Sequence, residues 1–192
     1  MINILYNAEL EEPYKHISNM HQIALNLVDE YFSNKKDKGN NDYRHHLWDV
    51  SRNLGEYAST KCMNKYSSLG IYYNKAFIVA LLHDIFEDTE LTKNELIKKG
   101  IDDLEIINAL TLLTKQKEQK YFDYITQIYN DDIARIVKIF DLENNMDLRR
   151  LSLLTNKDLE RINKYWWSWK YLKQEIDQST AYHNIYKQQK NA

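Results

Sequence analysis

The run Ala76-Phe-Ile-Val-Ala-Leu-Leu82 passes directly into His83-Asp84, and Glu87 and Asp88 follow within four more positions. An unbroken apolar run of this length reads as a buried segment. Imidazoles and carboxylates placed at the end of such a segment are costly unless they pair or bind a metal. Four of them together imply a shared cation, and the fold must then bring further ligands from elsewhere in the chain.

The surrounding sequence offers helices to do this. Ile17, Met20, Ile23, Ala24, Leu27, Val28 and Tyr31 recur at helical spacing and predict a helix over 16–32. The polar stretch Ser33–Asp42 reads as a loop. Leu47, Val50, Leu54, Tyr57 and Ala58 predict a second helix over about 45–58, and residues 59–73 read as an irregular connection. The buried helix is expected over about 74–86, loosening near its His-Asp pair. Thr92-Lys-Asn-Glu95 has the pattern of a capping box, and Gly100 should stop the short helix it starts. Asp102 is the expected cap of the next helix, and Asp131 or Asp132 that of the helix over 133–143. A short helix is expected over 121–129, another over 147–154, and a long final one from Asn156 past Tyr186.

With one proline, four glycines and no convincing strand alternation, the chain predicts an all-α bundle. Its 192 residues are most simply one domain over 1–192, with a core at about 14–155 and a C-terminal helical extension at about 156–190. Lys and Arg total 26 against 28 Asp and Glu, which gives no support for a nucleic-acid platform. The lone Cys62, the absence of a signal-peptide pattern and the lack of a long apolar stretch predict a cytoplasmic protein that does not enter membranes.

Helical phase selects His46 over its neighbour as the next ligand. At about 100° per residue, His46 lies roughly 70° from the apolar direction of its helix, whereas His45 falls nearly opposite. The ordinary reading of His46 alone is a hydrogen-bonded histidine at the edge of the core; His83-Asp84 reverses that preference. Asp141, among Val137, Ile139, Phe140 and Leu142, is the remaining candidate, and Lys138, Asp141 and Asn145 follow at i, i+3 and i+7 along one helix stripe. His46, His83, Asp84 and Asp141 form a mixed imidazole–carboxylate set that suits Mn²⁺, Fe²⁺ or Zn²⁺, and four protein ligands favour an ion that prefers six, manganese or iron, over a closed tetrahedral zinc. Glu87 or Asp88 is placed to orient or deprotonate a water, and Lys138 to steady phosphate charge.

The order His … His-Asp … Asp resembles the HD-domain metal-dependent phosphohydrolases. Ala80-Leu-Leu-His-Asp-Ile-Phe-Glu-Asp-Thr89, Leu113-Thr-Lys115 and Val137-Lys-Ile-Phe-Asp-Leu-Glu-Asn-Asn-Met146, with Tyr43 and Val50 flanking His46, are similar to the small alarmone hydrolases. The resemblance covers roughly residues 36–152. It implies an all-α, manganese-dependent enzyme that removes pyrophosphate from the ribose 3′ position of guanosine tetraphosphate. It also implies the same four metal ligands, Glu87 and Asp88 managing the water, Asn145 lining the nucleotide site, and nucleotide contacts from the basic stretch that includes Lys38. Three features differ: Gly39 is displaced by one position, Leu142 replaces an arginine, and Asn144 replaces a histidine. These bear on the guanosine substrate, and the alternatives are a phosphatase or phosphodiesterase acting on another nucleotide, or a non-catalytic nucleotide-binding regulator. The stripe Leu159, Ile162, Trp166, Trp169 and Ile176 reads as packing of the last helix on the body or on a second copy in a homodimer.

Overall fold

The computed structural model describes residues 5–37, 39–151 and 153–186. Among them the regular elements are all helical, with one isolated bridge between Lys36 and Asp42. In order they are α1 (Leu5–Phe32), α2 (Arg44–Lys61), α3 (Ser68–Leu82), α4 (Ile85–Asp88), α5 (Lys93–Lys98), α6 (Leu104–Leu113), α7 (Tyr121–Tyr129), α8 (Asp132–Asn145), a 3₁₀ turn (Leu148–Arg150), α9 (Asn156–Leu172) and α10 (Gln178–Tyr186). Among the described residues no helix is long and apolar enough to cross a membrane.

The apolar run at the end of α3 forms the axis. Ala76, Ile78, Val79, Ala80, Leu81 and Leu82 are all buried, because α1, α2, α6 and α8 pack around them. Met20, Ala24, Leu27, Val28 and Phe32 supply the inner face of α1, and Leu47, Val50 and Leu54 that of α2. α7 and α9 lie against α8, and α10 folds back on α9.

Side-chain caps set where most helices begin. Ser67 Oγ accepts from the Gly70 N–H at the start of α3. Thr92 and Glu95 form the expected capping box of α5, and Thr155 and Asp158 form a second one that opens α9 at Asn156. Asp131 caps α8 through the Ala134 N–H.

The structure departs from the sequence expectations in several places. α1 begins at Leu5, eleven residues before the expected start at His16, and carries Pro13 inside it. α2 and α3 take up most of the connection expected over 59–73. Asp103, not Asp102, caps α6, accepting from the Glu105 and Ile106 N–H groups; Asp102 instead meets His16 at 2.8 Å. The expected helix over 147–154 shrinks to the 3₁₀ turn. The single long final helix is two helices, separated by a turn at Gln174 with φ of 62°. Of the stripe expected to pack, Trp169 and Ile176 lie against the core, whereas Leu159 and Trp166 face outward at 51% and 43% exposure. The buried residues of α9 are Ser168, Tyr171 and Leu172 on its other side.

Two glycines give opposite expectations for stability. A Cβ on Gly70 would lie 2.5 Å from the carbonyl oxygens of Asn64 and Lys65, so backbone would have to move. On Gly55, inside α2, the nearest atom would be Phe77 Cε2 at 3.4 Å. Gly70→Ala should therefore destabilise the fold by about 1–3 kcal/mol. Gly55→Ala should stabilise it by about 0.5–1 kcal/mol, the helix-interior difference between the two residues. Urea unfolding followed by circular dichroism measures both.

Candidate metal centre

Three helices deliver the candidate ligands to one buried point. Leu47, Val50 and Leu54 turn one face of α2 inward and carry His46 with it, so that it is 4% exposed, while His45 faces solvent. α3 ends at Leu82, and Asp84 has φ −99° and ψ 4°. This local unwinding lets the adjacent His83 and Asp84 reach the same volume, which the roughly 100° offset of a continuous helix would prevent. Asp141 comes from the buried face of α8, beside Val137 and Leu142.

His46 Nε2 lies 3.2 Å from His83 Nε2, 3.7 Å from Asp84 Oδ2 and 3.2 Å from Asp141 Oδ1. His83 Nε2 lies 3.1 Å from Asp84 Oδ2 and 3.5 Å from Asp141 Oδ1. Ligands about 2.1 Å from one ion are about 3.0 Å apart when adjacent on an octahedron and about 3.4 Å apart on a tetrahedron. The observed spacings fall around these values. His46, His83 and Asp84 each offer a ligand atom within 4.8 Å of the others. Asp141 approaches the two imidazoles from α8.

Hydrogen bonds on the outer side of each ring set its chemistry. His83 Nδ1 donates to the Ala80 carbonyl at 2.8 Å, and a carbonyl can only accept. His46 Nδ1 donates to Asn144 Oδ1 at 2.7 Å. In the neutral rings both Nε2 atoms then carry lone pairs and face two carboxylate oxygens. Such a set of acceptors needs a positive charge among them. Burial pushes the pKa of His83 down, but Asp84 and Asp141 outweigh this and hold it well above the ordinary imidazole value. Burial likewise opposes the ionised forms of Asp84 and Asp141, yet the histidines, and Lys138 for Asp141, keep both well below the usual carboxylate range.

The two other α8 candidates both reach Asp141. Lys138 Nζ donates to its Oδ2 at 2.7 Å, and Asn145 Nδ2 to its Oδ1 at 2.5 Å. Burial opposes the charge on Lys138, but Asp141, Tyr124 and Tyr121 raise its pKa well above normal. Lys138 thus holds the carboxylate in place and compensates its charge. Asp84 has a comparable support in Tyr43, whose hydroxyl donates to Oδ2 at 2.5 Å. The Tyr43 ring is stacked on the buried Phe32.

Glu87 and Asp88 sit on the single turn of α4, beyond the ligands. Burial, with Asp84 nearby, raises the pKa of the Glu87 carboxyl against the opposing Lys115 N–H that it accepts. Asp88 pairs with Lys35, Nζ to Oδ2 at 3.3 Å. Lys38, the remaining expected substrate contact, lies outside the described residues.

A cavity of about 220 Å³ opens beside His46. Lys36, Asp37, Tyr43, Asn145, Asp147, Arg161 and Tyr165 line it. Of these, Arg161 and Tyr165 are functional candidates to which sequence spacing assigns no role. Arg161, Tyr165, Ser168 and Leu172 fall on one stripe of α9, and an arginine on an otherwise inward stripe is the signal that marks the position. Asp158 fixes that guanidinium at 2.8 Å. Asn144 is the other such residue, visible in sequence only as a change from histidine.

No protein-family profile and no curated protein matches the chain.

Asn144→Ala removes the acceptor that orients His46, and should weaken Mn²⁺ binding about 10- to 100-fold in a calorimetric titration. At about 100 times its dissociation constant, a cation bound only by the folded state adds about 2.7 kcal/mol. At about 2–4 °C per kcal/mol for a chain of this size, Mn²⁺ should raise Tm by about 5–10 °C, and Asp84→Ala should abolish the shift.

Proposed function

We propose that this chain is a metal-dependent phosphohydrolase acting on a phosphorylated nucleotide. The leading substrate is guanosine 3′,5′-bis(diphosphate), and the leading reaction is release of its 3′-pyrophosphate. The observation that carries the reading is the juxtaposition of buried lone pairs, converging from α2, α3 and α8, with a cavity that carries cationic, amide and aromatic side chains.

The donor set of His46, His83, Asp84 and Asp141 fits a divalent ion with mixed nitrogen and oxygen preference, and manganese first among them. Bound there, the ion would neutralise a phosphate oxygen and lower the pKa of a water. Asp84 and Asp141 against Lys138 leave one net negative charge, which a divalent cation converts to one net positive charge. That sign favours a phosphate ester at the mouth of the cavity. Lys36 and Arg161 are positioned for the remaining phosphate charge, Arg161 with a planar fork suited to two oxygens at once. The rings of Tyr43 and Tyr165 offer faces for a base or ribose, and Asn145 an amide for its polar edge. Glu87 is exposed enough to meet solvent, and partial desolvation with Asp84 nearby raises its carboxyl pKa, the character of a base that takes a proton from the attacking water. Asp88 beside it would orient that water.

One observation favours a second reading, a non-catalytic nucleotide-binding regulator. The carboxylates of Glu87 and Asp88 already hold partners on the protein, the Lys115 N–H and Lys35. Metal content and Mn²⁺-dependent release of phosphate or pyrophosphate from a nucleotide panel separate the readings. Pyrophosphate from guanosine tetraphosphate, lost in Asp84→Ala, is the expected result. Turnover of a different nucleotide alone discards the substrate and keeps the chemistry. Glu87→Gln should retain metal and lose about 10²- to 10⁴-fold in kcat. Nucleotide binding without turnover of any panel member would select the regulator.

A further inference from the structure

The turn that carries Glu87 and Asp88 is held at both ends by the segment that lines the cavity. α4 has only four residues, and such a helix does not hold its own shape, because one turn fixes several dihedrals for one hydrogen bond. The Asp88 N–H donates to the Asp84 carbonyl at 2.9 Å, and the Thr89 hydroxyl to the Ile85 carbonyl at 2.6 Å. At the first end, Tyr43 donates to Asp84 Oδ2. At the last end, Lys35 Nζ donates to the Asp88 carbonyl and also lies 3.3 Å from Asp88 Oδ2. Lys35 thus grips the backbone and the side chain of one residue together.

The anchors on the far side are firm. Lys35 N–H donates to the Phe32 carbonyl at the end of α1, and Lys35 Nζ sits 5.4 Å from the centre of the buried Phe32 ring. Tyr43 N–H donates to the Lys35 carbonyl at 3.0 Å, so the two struts are tied to each other. Between them the loop is clipped by the Lys36–Asp42 bridge and by Asp37 Oδ1, which accepts from the Gly39 and Asn41 N–H groups. Lys36, Asp37, Gly39 and Tyr43 of this loop line the cavity.

We propose that Lys35 is a positioning residue that couples the cavity-lining loop to Asp88, so that the loop sets the placement of the Glu87–Asp88 turn against the metal centre. The role rests on the phosphohydrolase reading for its catalytic consequence, but not for the coupling itself. Lys35 acts through Asp88 and needs no contact with substrate. Both partners are half-exposed, so the pair alone is weak, and its value lies in holding two groups of one residue in fixed geometry.

The test compares Lys35→Met, which keeps the stem and removes the charge, with Lys35→Arg in the full chain loaded with Mn²⁺. In Lys35→Met the amide hydrogens of residues 85–88 should exchange faster, while those of α3 and α8 stay as in the parent. On whichever nucleotide the parent cleaves, kcat should fall about tenfold or more, since small misplacements of reacting groups carry costs of this order, with KM changed less than threefold or so. Lys35→Arg should restore most of both. Unchanged exchange at residues 85–88 in Lys35→Met overturns the coupling, whether or not the parent has activity. Faster exchange with an unaltered kcat overturns the catalytic consequence, and a rise in KM alone would make Lys35 a substrate contact instead. A parent that cleaves nothing on the panel defeats the phosphohydrolase reading, and the exchange data then still decide the coupling.

Discussion

Everything about the centre follows from the cost of burying hydrogen-bond acceptors that face one another. Two imidazole nitrogens lie 3.2 Å apart and 3.1–3.7 Å from a carboxylate oxygen of Asp84 and one of Asp141 at the junction of α2, α3 and α8. Nothing apolar stabilises that arrangement, and repulsion between the acceptors opposes it. It persists because each group is tied from its outer side. Ala80 and Asn144 take the Nδ1 protons, Tyr43 supports Asp84, and Lys138 with Asn145 supports Asp141. The outer bonds fix which lone pairs point inward, and hence that a cation is the particle the site favours.

The charges divide between a permanent compensation and an exchangeable one. Lys138 is permanent. It is buried against Tyr124 and Asp141, and its pKa lies well above normal, so it keeps its charge at any ordinary pH. It removes half of the carboxylate charge and leaves the rest to whatever occupies the centre. Replacing Lys138 by an apolar residue would leave Asp141 with the full desolvation penalty. The same helix stripe that delivers Asp141 therefore also delivers the group that makes its burial tolerable, at i−3 and i+4 through Lys138 and Asn145.

What the sequence made legible was mostly local. The phase of His46 against Leu47, Val50 and Leu54 separates it from His45 on helical spacing alone, and the fold buries one and exposes the other. The apolar run before His83 announces a buried helix, and the all-α architecture follows from so few helix-breaking residues. Illegible features depend on partners far along the chain. Asn144 acquires its role from a histidine 98 positions away, and Lys35 from an aspartate 53 positions away. The choice of Asp103 over Asp102 as a cap is a matter of one residue of backbone phase, which His16 decides by taking Asp102. The tryptophan-bearing stripe of α9 is divided, with Trp169 against the core and Trp166 exposed, while a neighbouring stripe carries Arg161 and Tyr165 to the cavity.

The division between a stiff centre and an adjustable turn has a physical basis in length. α2, α3 and α8 span 18, 15 and 14 residues and bury long apolar faces, so the atoms they deliver are placed by packing. α4 has four residues and buries only Ile85 among them, so its geometry is borrowed from contacts outside it. Those contacts come from two directions: the Lys115 N–H after α6 holds Glu87, and the loop after α1 holds Asp88. A rigid ligand set suits a task that needs fixed distances to an ion. On the proposed phosphohydrolase reading, a turn suspended between two loops suits groups that would meet a water whose position depends on what fills the cavity. Since the same loop both lines that cavity and grips the turn, a molecule bound against Lys36 and Tyr43 acts on Asp88 through covalent chain and one ion pair, without touching it.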